Sequence, residues 1–157
     1  MSAFARVRLG FKADGLQKAV LESEHGRGIL NCSRQWGKST VAAVKAIHRA
    51  WTEANALVLV ATPSRRQSGE FLHKAETLMR AAGMATKGDG YNELSLQFPN
   101  GSRIVGLPGV DGTVRGFSAV SLLSKAFDNS DYAEHRFMRS NNPKQLPVAA
   151  SMRSCSR

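Results

Sequence analysis

Residues 32 to 40 read Cys-Ser-Arg-Gln-Trp-Gly-Lys-Ser-Thr, and within them Gly37-Lys38-Ser39 has the spacing of a loop that holds phosphate. That chemistry needs three things together. A glycine lets the backbone approach an anion with no side chain in the way. A lysine brings positive charge to the terminal phosphates, and the hydroxyl beside it can take one place on Mg²⁺. The N–H groups of the loop and of the helix after it then point at the phosphates, whose charge the helix dipole favours. The candidate ligand set is therefore Ser33, Arg34, Gln35, Trp36, Gly37, Lys38, Ser39 and Thr40, with Ser39 as the metal-side hydroxyl. The general pattern, G-x-x-x-x-G-K-[ST], has glycine where this chain has Cys32. A plain helix start capped by serine would also give Gly-Lys-Ser, so the surrounding elements decide.

The elements expected around the loop are a strand before it and a helix after it. Residues 26 to 33, "GRGILNCS", read as a short buried strand. From Lys38 to about Glu53 a helix is expected, with Val41, Val44, His48 and Trp51 on one face. Upstream, residues 1 to 13 carry Arg6, Arg8 and Lys12 and read as a loosely packed arm. Asp14 can cap a helix running to about Glu24, with Leu16, Val20 and Leu21 as its apolar stripe.

Downstream, "ALVLVAT" at 56 to 62 is a continuous apolar run, the pattern of a central parallel strand covered on both faces. Pro63 ends it. An amphipathic helix is expected from Ser64 to Ala82, burying Phe71, Ala75, Leu78 and Ala82. Runs at 93 to 98 and 102 to 108 flank Pro99-Asn100-Gly101, a hairpin signal, and 118 to 123 reads as one more strand. Strand, helix, strand, helix, hairpin, strand is the order of an α/β domain with a largely parallel central sheet flanked by helices.

The totals fit one soluble domain. The chain has 157 residues, 42% hydrophobic and 22% charged, enough to bury a core without staples. It has no apolar run of membrane-spanning length, and residues 1 to 11 lack the apolar centre of a secretory signal. Cys32 and Cys155 lie far apart with no metal-ligand pattern, and His25, His48, His73 and His135 are scattered, so an intracellular, reduced protein is expected. A net charge of +10 makes a polyanionic partner such as nucleic acid one reading, and a solvated basic surface the other. Arg65 and Arg66, at the end of a central strand, are candidate contacts to a nucleic-acid backbone or simply a solvated helix start.

Four stretches, in order, resemble one family. "CSRQWGKST" looks like the Walker A segment of the large terminase subunit, the DNA-packaging motor of tailed bacteriophages, where S-R-Q-x-G-K-[ST] is typical. "DGLQKAVL" (14 to 21) is similar to its adenine-recognition segment, with Gln17 at the family glutamine and Leu16 where an aromatic residue is often found. "LVLVATPSRRQSGEFL" (57 to 72) resembles its second strand and helix. "LQFPNGSRIVGLPGVDGTVRGFSAVSLL" (96 to 123) resembles the approach to its Walker B strand, including Val114-Arg115-Gly116. The resemblance implies a P-loop NTPase fold over residues 1 to 123, with ATP and Mg²⁺ as cofactors and double-stranded DNA as partner. It also implies a portal protein, a small terminase subunit and a ring of copies, in the cytoplasm of a bacterial host of phage or prophage. Arg34 would act on the γ phosphate beside Lys38, and Arg115 would couple nucleotide state to DNA. Each arginine also has an ordinary reading, as a surface or loop residue.

The resemblance stops at the acid pair. A neighbouring strand should end in Asp-Glu, one acid orienting Mg²⁺ through its water shell and the next polarising the attacking water. The register here puts Lys125 and Ala126 at those positions. Asp128, Asp131 and Glu134 follow in a stretch without strand character. Residues 124 to 157 are rich in Ser, Asn, Arg and Pro, show no periodicity, and read as a poorly ordered tail. The expectation is a terminase ATPase portion incomplete at its C-terminal side, truncated or frame-shifted after about residue 123, with weak or absent hydrolysis and no nuclease domain. A helicase-like P-loop fragment and a non-catalytic basic nucleic-acid-binding module are the alternatives.

Overall fold

The computed structural model describes residues 1–23, 29–30, 32–33, 35–84, 94–108 and 121–124. The tail from 125 onward, Arg34, and the stretch containing Arg115 lie outside the described residues. The chain is a mixed α/β fold with helices α1 (Ser2–Val7), α2 (Gly15–Glu22) and α3 (Lys38–Thr52), strand β1 (Leu57–Thr62) and helix α4 (Arg65–Ala81), then strands β2 (Ser95–Gln97), β3 (Arg103–Pro108) and β4 (Ser121–Ser124). No helix among the described residues is long and apolar enough to cross a membrane.

The apolar run at 56 to 62 becomes the sheet's second-from-edge strand. The order is β2-β3-β1-β4, with β1 parallel to both β3 and β4 and only β2 antiparallel, through its hairpin with β3. Side chains alternate across β1 as strand geometry requires. Val58 and Val60 join Val41, Val44 and Ile47 of α3, Phe71, Ala75 and Met79 of α4, and Ile104 of β3 in the main core. Leu59 packs with Val105 and Leu107 on the other face. Gly106 belongs to the helix-facing set, and a Cβ there would lie 3.0 Å from Ser68 Cβ, so the missing side chain is what lets α4 approach β3.

The sheet register aligns the strand ends. Thr62 pairs with Pro108 and Ala61 with Ser124, so β1, β3 and β4 all finish at one edge. β1 continues through Pro63 and Ser64 into α4, which therefore starts at that edge. α3, about 22 Å long at 1.5 Å per residue, ends four residues before β1 begins and so runs back along it. Its first turn lies at the same edge.

Three expectations are corrected. Residues 1 to 13 are not a loose arm. Ala5 is fully buried and Leu9 is 3% exposed, because these two apolar residues four apart pack α1 and the turn after it onto the core while the basic side chains point outward. The strand expected over 26 to 33 does not form at its described positions: residues 29, 30, 32 and 33 are in no strand, and Ile29 is 70% exposed. Two consecutive large apolar residues make a strand only where a neighbour supplies hydrogen bonds and cover, and among the described residues β4 is paired with β1 alone. Leu16, expected in the α2 stripe, is also exposed, while Leu21 is buried and Val20 packs against the core.

Candidate functional site

The loop from Cys32 to Lys38 reaches α3 at the edge where the parallel strands end. Its backbone is shaped by two left-handed residues, Gln35 at φ 65° and Gly37 at φ 93°. Gly37 is the residue that makes the final turn into α3, and it stands at the N-cap with no side chain to close the helix. Thr40 and Val41 N–H groups donate to the Gly37 carbonyl, at 2.9 and 3.0 Å. By contrast, Asp14 caps α2 and Ser64 caps α4 through their side chains. The sequence therefore leaves the first turn of α3 without the cap that its other long helices carry, which is the arrangement an anion can complete.

Lys38 folds back over this loop. Its Nζ donates to the Cys32 carbonyl at 2.7 Å and to the Ser33 carbonyl at 3.0 Å. An ammonium with three donors can hold two carbonyls and keep one donor for another acceptor. Cys32, at the position where the general pattern has glycine, contributes its backbone oxygen to this arrangement. Partial burial pushes its thiol up from the ordinary cysteine range, and the nearby Lys38 charge pulls it only partly back. That favours the neutral thiol, which does not suit a nucleophile.

Gln17 reaches the loop from α2. Its side-chain nitrogen donates to the Trp36 carbonyl at 2.9 Å, and its side-chain oxygen accepts the Asp14 N–H at 3.1 Å. The Asp14 carboxylate accepts the Gln17 N–H at 2.7 Å, completing a reciprocal capping box. The residues read as ligands from the sequence thus come together in part: Gln17, Ser33, Gln35, Trp36, Gly37 and Lys38 meet, and Ser39 and Thr40 form the half-buried first turn of α3.

The start of α4 shares the edge. Thr62 Oγ1 lies 2.7 Å from Ser68 Oγ and donates to the Ser64 carbonyl at 2.9 Å, tying the end of β1 to the first turn of α4. Arg65 and Arg66 are exposed beside it, and Arg66 stands 3.9 Å from Glu70 in a solvated pair. The sequence reading missed Thr62 and Ser68. A hydroxyl residue ending an apolar strand, six positions before a serine on the following helix, was the available signal.

Among the described residues, no group of three His, Cys, Asp or Glu could hold a metal ion. Lys125, Ala126, Asp128, Asp131 and Glu134 lie outside the described residues. Neither the models of known protein families nor the curated proteins give any match to this chain.

Proposed function

We propose that the chain binds ATP as the N-terminal part of a phage large terminase subunit. The observation that carries this reading is the loop around Gly37. A left-handed glycine opens α3 without a side-chain cap, and a lysine ammonium lies over the same loop. A triphosphate would accept hydrogen bonds from the loop N–H groups and the first turn of α3. Lys38 would exchange the Cys32 and Ser33 carbonyls for phosphate oxygens, charge-assisted contacts that are stronger than those it gives up. The loop suits the phosphates on these grounds, and Ser39 is the residue that would hold Mg²⁺ together with phosphate oxygens. ATP and Mg²⁺ supply the leaving group and the charge neutralisation of phosphoryl transfer.

Binding and turnover separate in this chain. β4 is parallel to β1 and ends at Ser124, and the next two residues in the sequence are Lys125 and Ala126. Neither can orient a metal-bound water or act as a base, so hydrolysis is weak or absent. In the intact family, hydrolysis drives double-stranded DNA through a portal protein into the capsid, with the small subunit and a ring of copies. Here Arg65 and Arg66 are the described candidates for DNA contact, and Arg34 and Arg115 keep the roles that the resemblance implies.

Equilibrium binding of a non-hydrolysable ATP analogue with Mg²⁺ tests the reading. The full chain binds it and Lys38→Ala does not; equal binding by both sinks the phosphate-loop assignment. Net charge of +10 favours one second reading, a non-catalytic nucleic-acid-binding module. Salt-dependent DNA binding without nucleotide binding would select it.

A further inference from the structure

We infer that Gln17 is a positioning residue for the phosphate loop, acting on every ligand that carries a phosphate chain whether or not it carries a base. This rests on the phosphate-loop reading above and departs from the base-recognition role that the resemblance implies for Gln17. Two observations carry it. The amide of Gln17 is already engaged at both ends, its oxygen by the Asp14 N–H and its nitrogen by the Trp36 carbonyl. It also lies flush against Gly37, since a Cβ on that glycine would sit 3.1 Å from Gln17 Nε2.

The peptide between Trp36 and Gly37 links these observations to the loop's chemistry. A trans peptide is planar, with its C=O and N–H pointing in opposite directions. Holding the Trp36 oxygen toward α2 therefore holds the Gly37 N–H away from α2. Gly37 is the residue that most needs this restraint, because glycine has the greatest freedom to rotate its flanking peptides. If the Gln17 bond is removed, the peptide can turn over and present a carbonyl where a phosphate needs a donor. The amide oxygen of Gln17 rests in turn on the backbone N–H of residue 14, a contact that does not use the Asp14 carboxylate.

The experiment compares two ligands on the full chain by calorimetry: inorganic tripolyphosphate and a non-hydrolysable ATP analogue, each with Mg²⁺. Gln17→Ala is expected to weaken both by the same factor, about tenfold, the effect of one hydrogen bond near the upper end of its usual range. Asp14→Ala serves as the structural control. It lowers the melting temperature by removing the carboxylate's hold on the Gln17 backbone N–H, while the backbone N–H at 14 and the Trp36 carbonyl still hold the Gln17 side chain, so its tripolyphosphate affinity stays at the wild-type value. Loss of affinity for the ATP analogue alone would make Gln17 a reader of the base and overturn the inference. So would unchanged affinity for both ligands, or an equal loss of tripolyphosphate affinity in Asp14→Ala. A wild-type chain that binds neither ligand fails earlier, at the phosphate-loop reading itself.

Discussion

At its C-terminal end α3 is closed by side chains from another part of the chain. Asn100, in the turn between β2 and β3, donates to the carbonyls of Ala50, Trp51 and Glu53, at 2.8, 3.3 and 3.3 Å. Ser102 Oγ donates to the Glu53 carbonyl as well and accepts the Ala56 N–H at 3.0 Å. Arg49 and Glu53 pair across the last turn at 2.7 Å. The N-terminal end is treated differently. Gly37 gives it no side-chain cap, and the side chains that reach the loop, Lys38 and Gln17, both donate to carbonyls. Carbonyl oxygens are thus satisfied at both ends of the same helix, whereas the first turn is left without a side-chain acceptor. One end is finished by side chains, and the other carries no side-chain cap, which is the end where the proposed phosphate would sit.

Three substitutions can break this contrast. Lys38→Ala should have the largest effect and show it chiefly in binding. Loss of its charge-assisted contacts lowers affinity for the ATP analogue by at least about a hundredfold, while the melting temperature falls only slightly, because water can reach the Cys32 and Ser33 carbonyls that lose their donor in this partly exposed loop. A large fall in melting temperature would mean that Lys38 is part of the scaffold. Asn100→Ala is the converse. It leaves several carbonyls short of a donor and should cost about 2 kcal/mol in urea unfolding, with ligand affinity unchanged under conditions where the variant is folded. If affinity fell in parallel, the two ends of α3 would be one cooperative unit. Gly37→Ala comes third. An alanine at φ 93° is strained by about 1 kcal/mol, and its Cβ would press on Gln17 Nε2 at 3.1 Å. Calorimetry should register a larger loss in ligand affinity than thermal unfolding registers in stability.

The closed end was easier to read in the sequence than the open one. Pro99-Asn100-Gly101 announces a turn, and "ALVLVAT" announces the strand that the turn pairs beside. The expected helix from 64 to 82 is out by one residue at each end. Local signals suffice for such elements because strand burial, turn geometry and caps each depend on neighbours a few residues away. Gly37-Lys38-Ser39 was equally plain as a motif. What the motif could not report was the partners of Lys38 and Gln17, because a side chain bonding a carbonyl leaves no trace in the identity of the residue that accepts. Ile29 and Leu30 failed as strand signals for a related reason: a strand exists only through its neighbours in the sheet, which a run of two apolar residues does not specify. The segment from 1 to 13 was misread because weight was given to Arg6, Arg8 and Lys12 over the apolar residues between them, of which Ala5 and Leu9 are buried in the core.

The smallest expected effect concerns the middle of α3, where the helix is neither capped nor open. His48 meets the edge of Phe4 from α1, with ring centroids 5.0 Å apart and the planes at 86°. Burial lowers its pKa below the usual histidine range, and the positive charges of the N-terminal ammonium, Arg49 and Lys45 lower it further. Lys45 is itself pushed down by burial and donates to the Val20 carbonyl of α2 at 3.0 Å. A histidine with a depressed folded pKa binds its proton more readily in the unfolded chain. Stability is then complete above about pH 6.5 and falls as pH drops from there toward the folded value. His48→Gln should flatten that fall in a series of thermal melts from about pH 8 to pH 5, and an unchanged slope would assign the pH dependence elsewhere. The effect is small because His48 is only partly buried and its interactions are screened. Because His48 lies on the face of α3 that holds α1, its protonation should loosen that packing without altering tripolyphosphate affinity. Affinity that followed the same titration would instead join the α1 contact to the loop, and the open end of α3 would no longer be independent of the helix behind it.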